Sequence, residues 1–216
     1  MAETDSTKAV ARDGRRRLPR MSRDEIALLR DVVRVSRRVS EFGIGGSTAL
    51  FLRSGVEKLV SVETDQAWIE LMRSDPDVLA ALEAGRLHLQ HVDLGPVKPW
   101  GYPATREKFD QWCTYARAPW PLWESLQCDP DLVLVDGRFR VACAARAAEF
   151  FMRKSRGGGA RILVHDIVAE RVGYQKLFNF LEPIQSAGSL FLFQCKSGIG
   201  VSEVAAIAEG EEANPA

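Results

Sequence analysis

Glu41, Glu63 and Asp93 each close a short, β-rich apolar run, and their positions define the chemistry this chain offers. Glu41 opens the stretch Glu41-Phe-Gly43-Ile-Gly45-Gly46-Ser47-Thr48. Glycines at 43 and 45 allow a tight turn and let a ligand approach the backbone without a Cβ in the way. The dinucleotide fingerprint GxGxxG would need a third glycine where Thr48 stands. A carboxylate two residues before the first glycine repels a pyrophosphate and attracts a ligand that bears an ammonium and a sulfonium. Glu63 follows 22 positions later (63 − 41), the separation at which an acid accepts hydrogen bonds from two ribose hydroxyls. Asp93 is placed to receive the exocyclic amine of an adenine. S-adenosylmethionine is such a ligand, and Glu41, Gly43, Gly45, Gly46, Ser47, Glu63, Asp93 and Asp136 are the residues expected to hold it. Each has a plainer reading, as a turn glycine, a helix-start neighbour or a turn cap. The three acids at three successive strand ends are what sets the ligand reading above it.

A second group of residues suits the chemistry of methyl transfer, an in-line displacement that needs a positioned acceptor, excluded water and a base. Asp136 and the pair His165-Asp166 close two later apolar runs. His165 is a candidate general base, since an unperturbed imidazole is largely neutral at physiological pH. Asp136 and Asp166 are alternatively candidate ligands for Mg²⁺, a hard cation that prefers oxygen donors. A third reading makes Asp166 a helix cap and His165 a half-buried structural histidine. Arg138 and Arg140 flank Phe139 and could clamp a carboxylate or phosphate on the acceptor, or simply pair with nearby acids. Trp100 and Tyr102 belong to an aromatic stretch that could wall an acceptor ring.

The elements that must position these groups alternate. Ser22 and Glu25 have the spacing of a capping box before a first amphipathic helix that ends near Ser36. Strands are predicted at Arg38–Phe42, Lys58–Val62, Arg86–Val92, Asp131–Val135 and Arg161–Val164, with helices over Ser47–Arg53, Asp65–Leu82 and Val141–Met152. Pro76 should divide the second of these helices. Gly157–Gly159 reads as a turn, Val168–Pro183 as containing a helix, and Leu190–Gln194 with Ile199–Val204 as a closing antiparallel hairpin. Alternation with doubly buried strands implies an α/β, Rossmann-like doubly wound sheet whose ligands sit at the carboxyl ends of the strands. Residues 21–206 are expected to form one domain, with 94–124 an insertion or lid holding four of the five tryptophans and five of the ten prolines.

Charge and composition exclude several classes. The 216 residues carry 29 basic and 29 acidic side chains, but unevenly. Residues 12–38 hold ten arginines against four acids, while the tail from Glu203 has four glutamates and no base. Residues 1–20 read as a disordered, Arg-rich arm and 207–216 as an acidic tail. The balanced middle offers no broad phosphate-binding face, which argues against nucleic acid. No apolar stretch approaches the roughly 20 residues of a membrane span. Four scattered cysteines without a CxxC fit a reducing cytoplasm better than a zinc site or disulfide framework. The N-terminus has no signal-peptide pattern, which agrees with a cytoplasmic location.

From about Arg38 to Val204 the chain resembles the class I S-adenosylmethionine-dependent methyltransferases. The motifs that carry the likeness are Glu41-Phe-Gly-Ile-Gly-Gly-Ser47, Val62-Glu63, Val92-Asp93 and Leu134-Val-Asp136-Gly. Val135-Asp-Gly-Arg-Phe-Arg140 with Leu163-Val-His-Asp166 is similar to a small bacterial branch of that superfamily. The resemblance implies a seven-stranded sheet with an antiparallel last strand, cofactor across the first three strand ends, and a small-molecule acceptor beyond the fourth and fifth. It departs from the metal-dependent O-methyltransferases, where an Asp-Asn pair stands in place of His165-Asp166. Three alternatives remain: a methyltransferase-like module that binds cofactor or partner without turnover, a short-chain NAD oxidoreductase, and a nucleic-acid methyltransferase. The second lacks a Tyr-x-x-x-Lys pair, since Phe178 follows Tyr174 by four, and the third lacks the (Asp/Asn)-Pro-Pro-(Tyr/Phe) motif.

Overall fold

The computed structural model describes residues 17–154 and 161–215. The Gly157–Gly159 turn and the first sixteen residues of the arm lie outside the described residues. Helix α1 (Arg23–Val33) begins with the expected capping box: Ser22 N donates to Glu25 Oε2 at 2.6 Å and Glu25 N donates to Ser22 Oγ at 3.3 Å. There follow β1 (Arg38–Phe42), α2 (Gly46–Arg53), β2 (Lys58–Glu63), α3 (Gln66–Arg73), α4 (Pro76–Glu83) and β3 (Leu87–His91). Pro76 divides α3 from α4 because it takes the first turn of the new helix, where its missing N–H costs nothing, and Asp75 caps it.

The chain then makes a small ribbon, β4 (Val97–Lys98) with β5 (Tyr102–Pro103), and two short helices, α5 (Cys113–Arg117) and α6 (Pro119–Ser125). Strand β6 (Leu132–Val135), helix α7 (Arg140–Arg153), β7 (Arg161–Val164), α8 (Leu177–Phe180), β8 (Leu181–Ala187), β9 (Leu190–Cys195) and α9 (Val201–Glu211) complete it. The main sheet has the order β3-β2-β1-β6-β7-β9-β8, with the first five strands parallel and β9 antiparallel to both neighbours. This is the predicted doubly wound, seven-stranded sheet with its last strand reversed. Strand β6 shows how it is buried: Leu132 and Leu134 face the core under α1–α4, while Val133 and Val135 face the core under α5–α7 and α9. No helix among the described residues is long and apolar enough to cross a membrane.

The C-terminal pairing differs from expectation. Strand β9 pairs with β8, whereas Val201–Glu211 is a helix. β8 is an edge strand that carries Pro183 and an exposed run from Glu182 to Ser186, so it lacks the apolar signature of a strand. α9 buries Val204, Ala208 and Glu211 at helical spacing. The chain's acidic end is docked, not free: Glu212 accepts from Arg117 at 2.6 Å and Arg146 at 2.8 Å, and Glu211 pairs with Lys176. In the aromatic insertion Trp112, Trp120 and Trp123 are buried core residues beneath which Phe42, Phe139 and Phe150 pack. Trp100 stands apart, 68% exposed, under the guanidinium of Arg20.

Candidate active site

Register brings the strand ends together. Phe42 is level with Val62 and Val135, and Val135 with Val164, so Gly43, Glu63, Asp136 and His165 emerge along one edge of the sheet. Asp93 lies outside this cluster. It is exposed and its oxygens are taken by Gly95 N–H at 2.9 Å and by Lys108, which hold its carboxyl below the usual range.

Glu41 sits beneath the glycine turn, fully buried. Ser47 Oγ donates to its Oε1 at 2.5 Å, while Thr48 Oγ1 and Ser61 Oγ donate to its Oε2 at 2.6 and 2.8 Å. Burial outweighs these three hydrogen bonds and pushes the carboxyl up to about 7, with the nearby charge of Asp136 adding to the effect. Glu41 and Ser47, both expected to hold a ligand, are hydrogen-bonded to each other beneath the turn. Thr48 also accepts from Gly45 N–H at 2.9 Å, so the residue that breaks the dinucleotide fingerprint ties the turn to the buried acid.

The three glycines have three different reasons. Gly43 has φ +96°, and a Cβ there would lie 3.0 Å from Gly137 N and 3.1 Å from the Asp136 carbonyl. Gly45 is extended, and a Cβ on it would meet nothing within 4 Å, so its side of the turn is open. At Gly46 the space a Cβ would need is filled by the chain itself, by the Leu18 carbonyl and Pro19 N. The described end of the arm thus crosses the start of α2, with Arg17 over Trp68 and its carbonyl accepting from Arg53.

Glu63 is half-buried at the end of β2. Its Oε1 accepts from Thr64 N at 2.6 Å, Asp65 N at 3.0 Å and Thr64 Oγ1 at 3.2 Å, whereas Oε2 accepts nothing among the described residues. Burial nevertheless raises its pKa over the lowering effect of those bonds. One oxygen is fixed and the other is free to meet a ligand.

Asp136, His165 and Asp166 do converge, with one donor atom each all within 4.8 Å. The buried Arg140 lies among them: its Nη1 is 2.9 Å from Asp166 Oδ2 and its Nη2 3.3 Å from Asp136 Oδ1. It also donates to the carbonyls of His165 at 2.5 Å and Gly137 at 2.9 Å. A guanidinium already stands between the two carboxylates and offsets part of their charge, so the donor set does not fit Mg²⁺, which would have to displace a buried cation. Of the two expected roles for Arg140, ion pairing is the one observed. Asp166 itself is left-handed at φ +61°, a conformation its ion pairs to Arg140 and Arg171 hold in place.

His165 is buried between two acids. Nδ1 is 3.0 Å from Asp136 Oδ1, and Nε2 is 3.5 Å from Glu25 Oε1. Burial, which lowers the imidazole, is outweighed by the bond to Asp136 and the charges of Asp136 and Asp166, and the pKa is raised. Both nitrogens thus face carboxylates, Nδ1 in a hydrogen bond and Nε2 at ion-pair distance. Glu25 is a partner that its sequence context marks only as a cap; it also accepts from Ser189 N and Oγ at 2.8 and 2.7 Å, and against the upward push of burial the donors of Ser22 and Ser189 together bring its carboxyl to about 2. Asp136 is part-exposed, and its Oδ2 accepts no hydrogen bond among the described residues.

No protein-family model matches the sequence, and no curated protein matches it. Solved structures do. A methyltransferase-like protein from Silicibacter pomeroyi is 25% identical, with a TM-score of 0.67 over 94% of this chain and 100% of that one. The fold is that of the class I S-adenosylmethionine-dependent methyltransferases. Two more distant neighbours share it. Rv0187 from MTB, solved with its cofactor bound, is 19% identical, with a TM-score of 0.52 over 82% of this chain and 83% of that one. The O-methyltransferase TomG from Streptomyces achromogenes, in complex with SAM, is 18% identical, with a TM-score of 0.50 over 82% of each chain. In the class I methyltransferase sheet of this chain, the residues that face the open edge are Gly45, Glu63, Asp136 and the Trp100–Tyr102 segment.

Proposed function

We propose that this chain binds S-adenosylmethionine at the carboxyl edge of the sheet and transfers its methyl group to a small-molecule acceptor, to oxygen in preference to nitrogen. The observation that carries the reading is Glu63, a carboxylate with one oxygen pinned by two backbone N–H groups and the other left open at the end of β2. The surrounding residues fit the cofactor: Glu41, Glu63 and Asp136 favour a cationic ligand, and the open side of Gly45 admits one close to the backbone. The TomG complex with SAM and the bound cofactor of Rv0187 belong to those proteins, and for this chain they support the same ligand.

Bound there, S-adenosylmethionine supplies a methyl carbon on a sulfonium, which an acceptor oxygen displaces in line. The protein's share is positioning, exclusion of water and removal of a proton. We assign the proton to Asp136 Oδ2, because Oδ1 is fixed by His165 and Arg140. His165 and Arg140 then act as positioning residues that hold this carboxylate in one orientation. No step runs through a metal. A second reading, a cofactor-binding module without turnover, is favoured by the engagement of both nitrogens of His165.

Calorimetric titration with S-adenosylmethionine and with NAD tests the first claim. Glu63→Ala should weaken S-adenosylmethionine by about a hundredfold, the loss expected when a charged acceptor of hydrogen bonds is removed. No binding of S-adenosylmethionine, or unchanged binding in Glu63→Ala, would sink the reading. Formation of S-adenosylhomocysteine with a panel of hydroxylated acceptors, with and without EDTA, separates enzyme from module; Asp136→Asn should lose about 10²–10⁴-fold in turnover, well beyond any loss of S-adenosylmethionine affinity that follows from removing its charge.

A further inference from the structure

We infer that Arg138 is a binding site for a carboxylate on the acceptor, so that the substrates of the proposed methyltransferase are hydroxylated acids. The inference rests on the methyltransferase reading for what the ligand is, and on the following geometry for where it binds. Arg138 is only 5% exposed, yet its Nε and Nη1 are buried with no hydrogen-bond partner, and its Nη2 makes no hydrogen bond among the described residues. No carboxylate of the described residues lies within ion-pair distance of it. Its neighbour two positions on, Arg140, is held by the carbonyls of Gly137, Asp136 and His165 and by two carboxylates, whereas the guanidinium of Arg138 has no such partner among the described residues.

An arginine side chain keeps its charge, so burial without a partner is a standing cost. Its surroundings are Tyr102, Gly101 and the buried Tyr115, with the Glu63 carboxylate nearby but not in ion-pair contact. Tyr102 covers one face of the guanidinium, with Cζ 4.1 Å from the ring centroid, and Gly101 lies against its stem beside Glu63. Stacking on an aromatic face fixes the plane of the fork and leaves its edge donors for a planar anion. The backbone is turned sharply here, since the next residue, Phe139, is left-handed at φ +53° and fully buried. No side chain caps α7, whose N-terminus follows Phe139, so the helix adds its positive end to the same strand end. Arg138 stands two residues from Asp136, to which we assign the acceptor's proton, so a carboxylate on Arg138 would anchor an acceptor whose hydroxyl reaches Asp136. A phosphate would suit the guanidinium as well, but the planar stack on Tyr102 favours a planar group.

The test needs no known substrate. Binding of 4-hydroxybenzoate, 3-hydroxybutyrate and benzoate, each against its uncharged amide, is measured by calorimetry in the presence of S-adenosylhomocysteine. At least one acid should bind about tenfold or more tightly than its amide, and Arg138→Gln should abolish that difference. Inorganic phosphate is the competing probe. Arg138→Met, tested without any ligand, should raise the melting temperature by about 2–6 °C, because it removes an uncompensated buried charge. A preference shown by no acid over its amide, or a preference that survives in Arg138→Gln, overturns the inference, as does a melting temperature that falls in Arg138→Met. If Arg138→Gln weakens S-adenosylhomocysteine but not 5′-methylthioadenosine, the carboxylate is the cofactor's own and the assignment to the acceptor is wrong. Acids that bind through Arg138 to a protein that takes no S-adenosylmethionine would overturn the methyltransferase reading and leave the carboxylate site standing.

Discussion

Replacing Gly43 by alanine asks whether the turn is built by close backbone approach or only by the ligand it serves. Alanine at φ +96° carries a left-handed strain of about 1–2 kcal/mol. Its Cβ would stand 3.0–3.1 Å from the backbone of Asp136 and Gly137, and neither can swing aside as a side chain could. Gly137 is itself confined, because a Cβ there would collide with the Tyr115 hydroxyl. Overpacking of this kind costs about 1–3 kcal/mol, so the two effects together come to about 2–5 kcal/mol. For a domain of this size that is a fall in melting temperature of about 4–20 °C, read by circular dichroism or calorimetry without ligand. Gly45→Ala is the matched control: its backbone is extended and its Cβ meets nothing, so its melting temperature should move by no more than about 2 °C. The same variant should lose S-adenosylmethionine affinity, since the new methyl fills the open side of the turn. A fall of less than about 2 °C in Gly43→Ala, or equal destabilisation in both variants, would refute this account of the turn.

The remaining expectations concern charge. Glu41 titrates near 7 in the fold against an ordinary 4.5, so the folded protein holds the proton more tightly and stability falls as pH rises from about 4.5 to about 7, then levels. The loss is of the order of 3 kcal/mol, and Glu41→Gln should remove it; urea unfolding curves of the two proteins that stay parallel from pH 5 to pH 8 would contradict the assignment. A cation bound above Glu41 favours its ionised form, so S-adenosylmethionine should release up to about one proton near pH 6, seen as a buffer-dependent enthalpy and absent in Glu41→Gln. Arg140→Met leaves Asp136, Asp166 and His165 without their buried cation and should cost about 3–5 kcal/mol. The same variant should gain Mn²⁺ binding, visible by electron paramagnetic resonance, where the parent protein shows none.

Sequence periodicity locates the parallel strands and their acids because those strands are buried on both faces and end where the apolar run ends. Pro76 and the Ser22–Glu25 box are legible for the same local reason: their structural meaning is settled within a few residues. Contacts between distant segments are not. Thr48 reads as a missing glycine, and Ser61 as an ordinary polar residue in a strand, although a hydroxyl in the apolar run Lys58–Val62 is the one signal that Glu41 has a partner there. Asp93 stands at a strand end as expected, and its pairing with Lys108, fifteen residues on, is a contact that the local sequence does not signal. The terminal hairpin misleads because β8 gains its place from pairing with β9, not from its own exposed side chains, while Ile199–Val204 mimics a strand in composition. Arg138 and Arg140 look equivalent in sequence; the guanidinium of one is saturated with hydrogen bonds and ion pairs and that of the other has none among the described residues, a distinction that only the folded arrangement creates.

The crossing of Leu18 and Pro19 over Gly46 bears on how relatives of this chain should be compared. Glycine at 46 would be scored as part of a cofactor motif, yet the atoms that leave it no room for a side chain belong to the arm. Retention of glycine there should therefore track the presence of the arm through evolution, with alanine or serine entering at this position wherever the preceding segment is lost. At Gly43, walled in by the backbone of Asp136 and Gly137, no such freedom should ever appear.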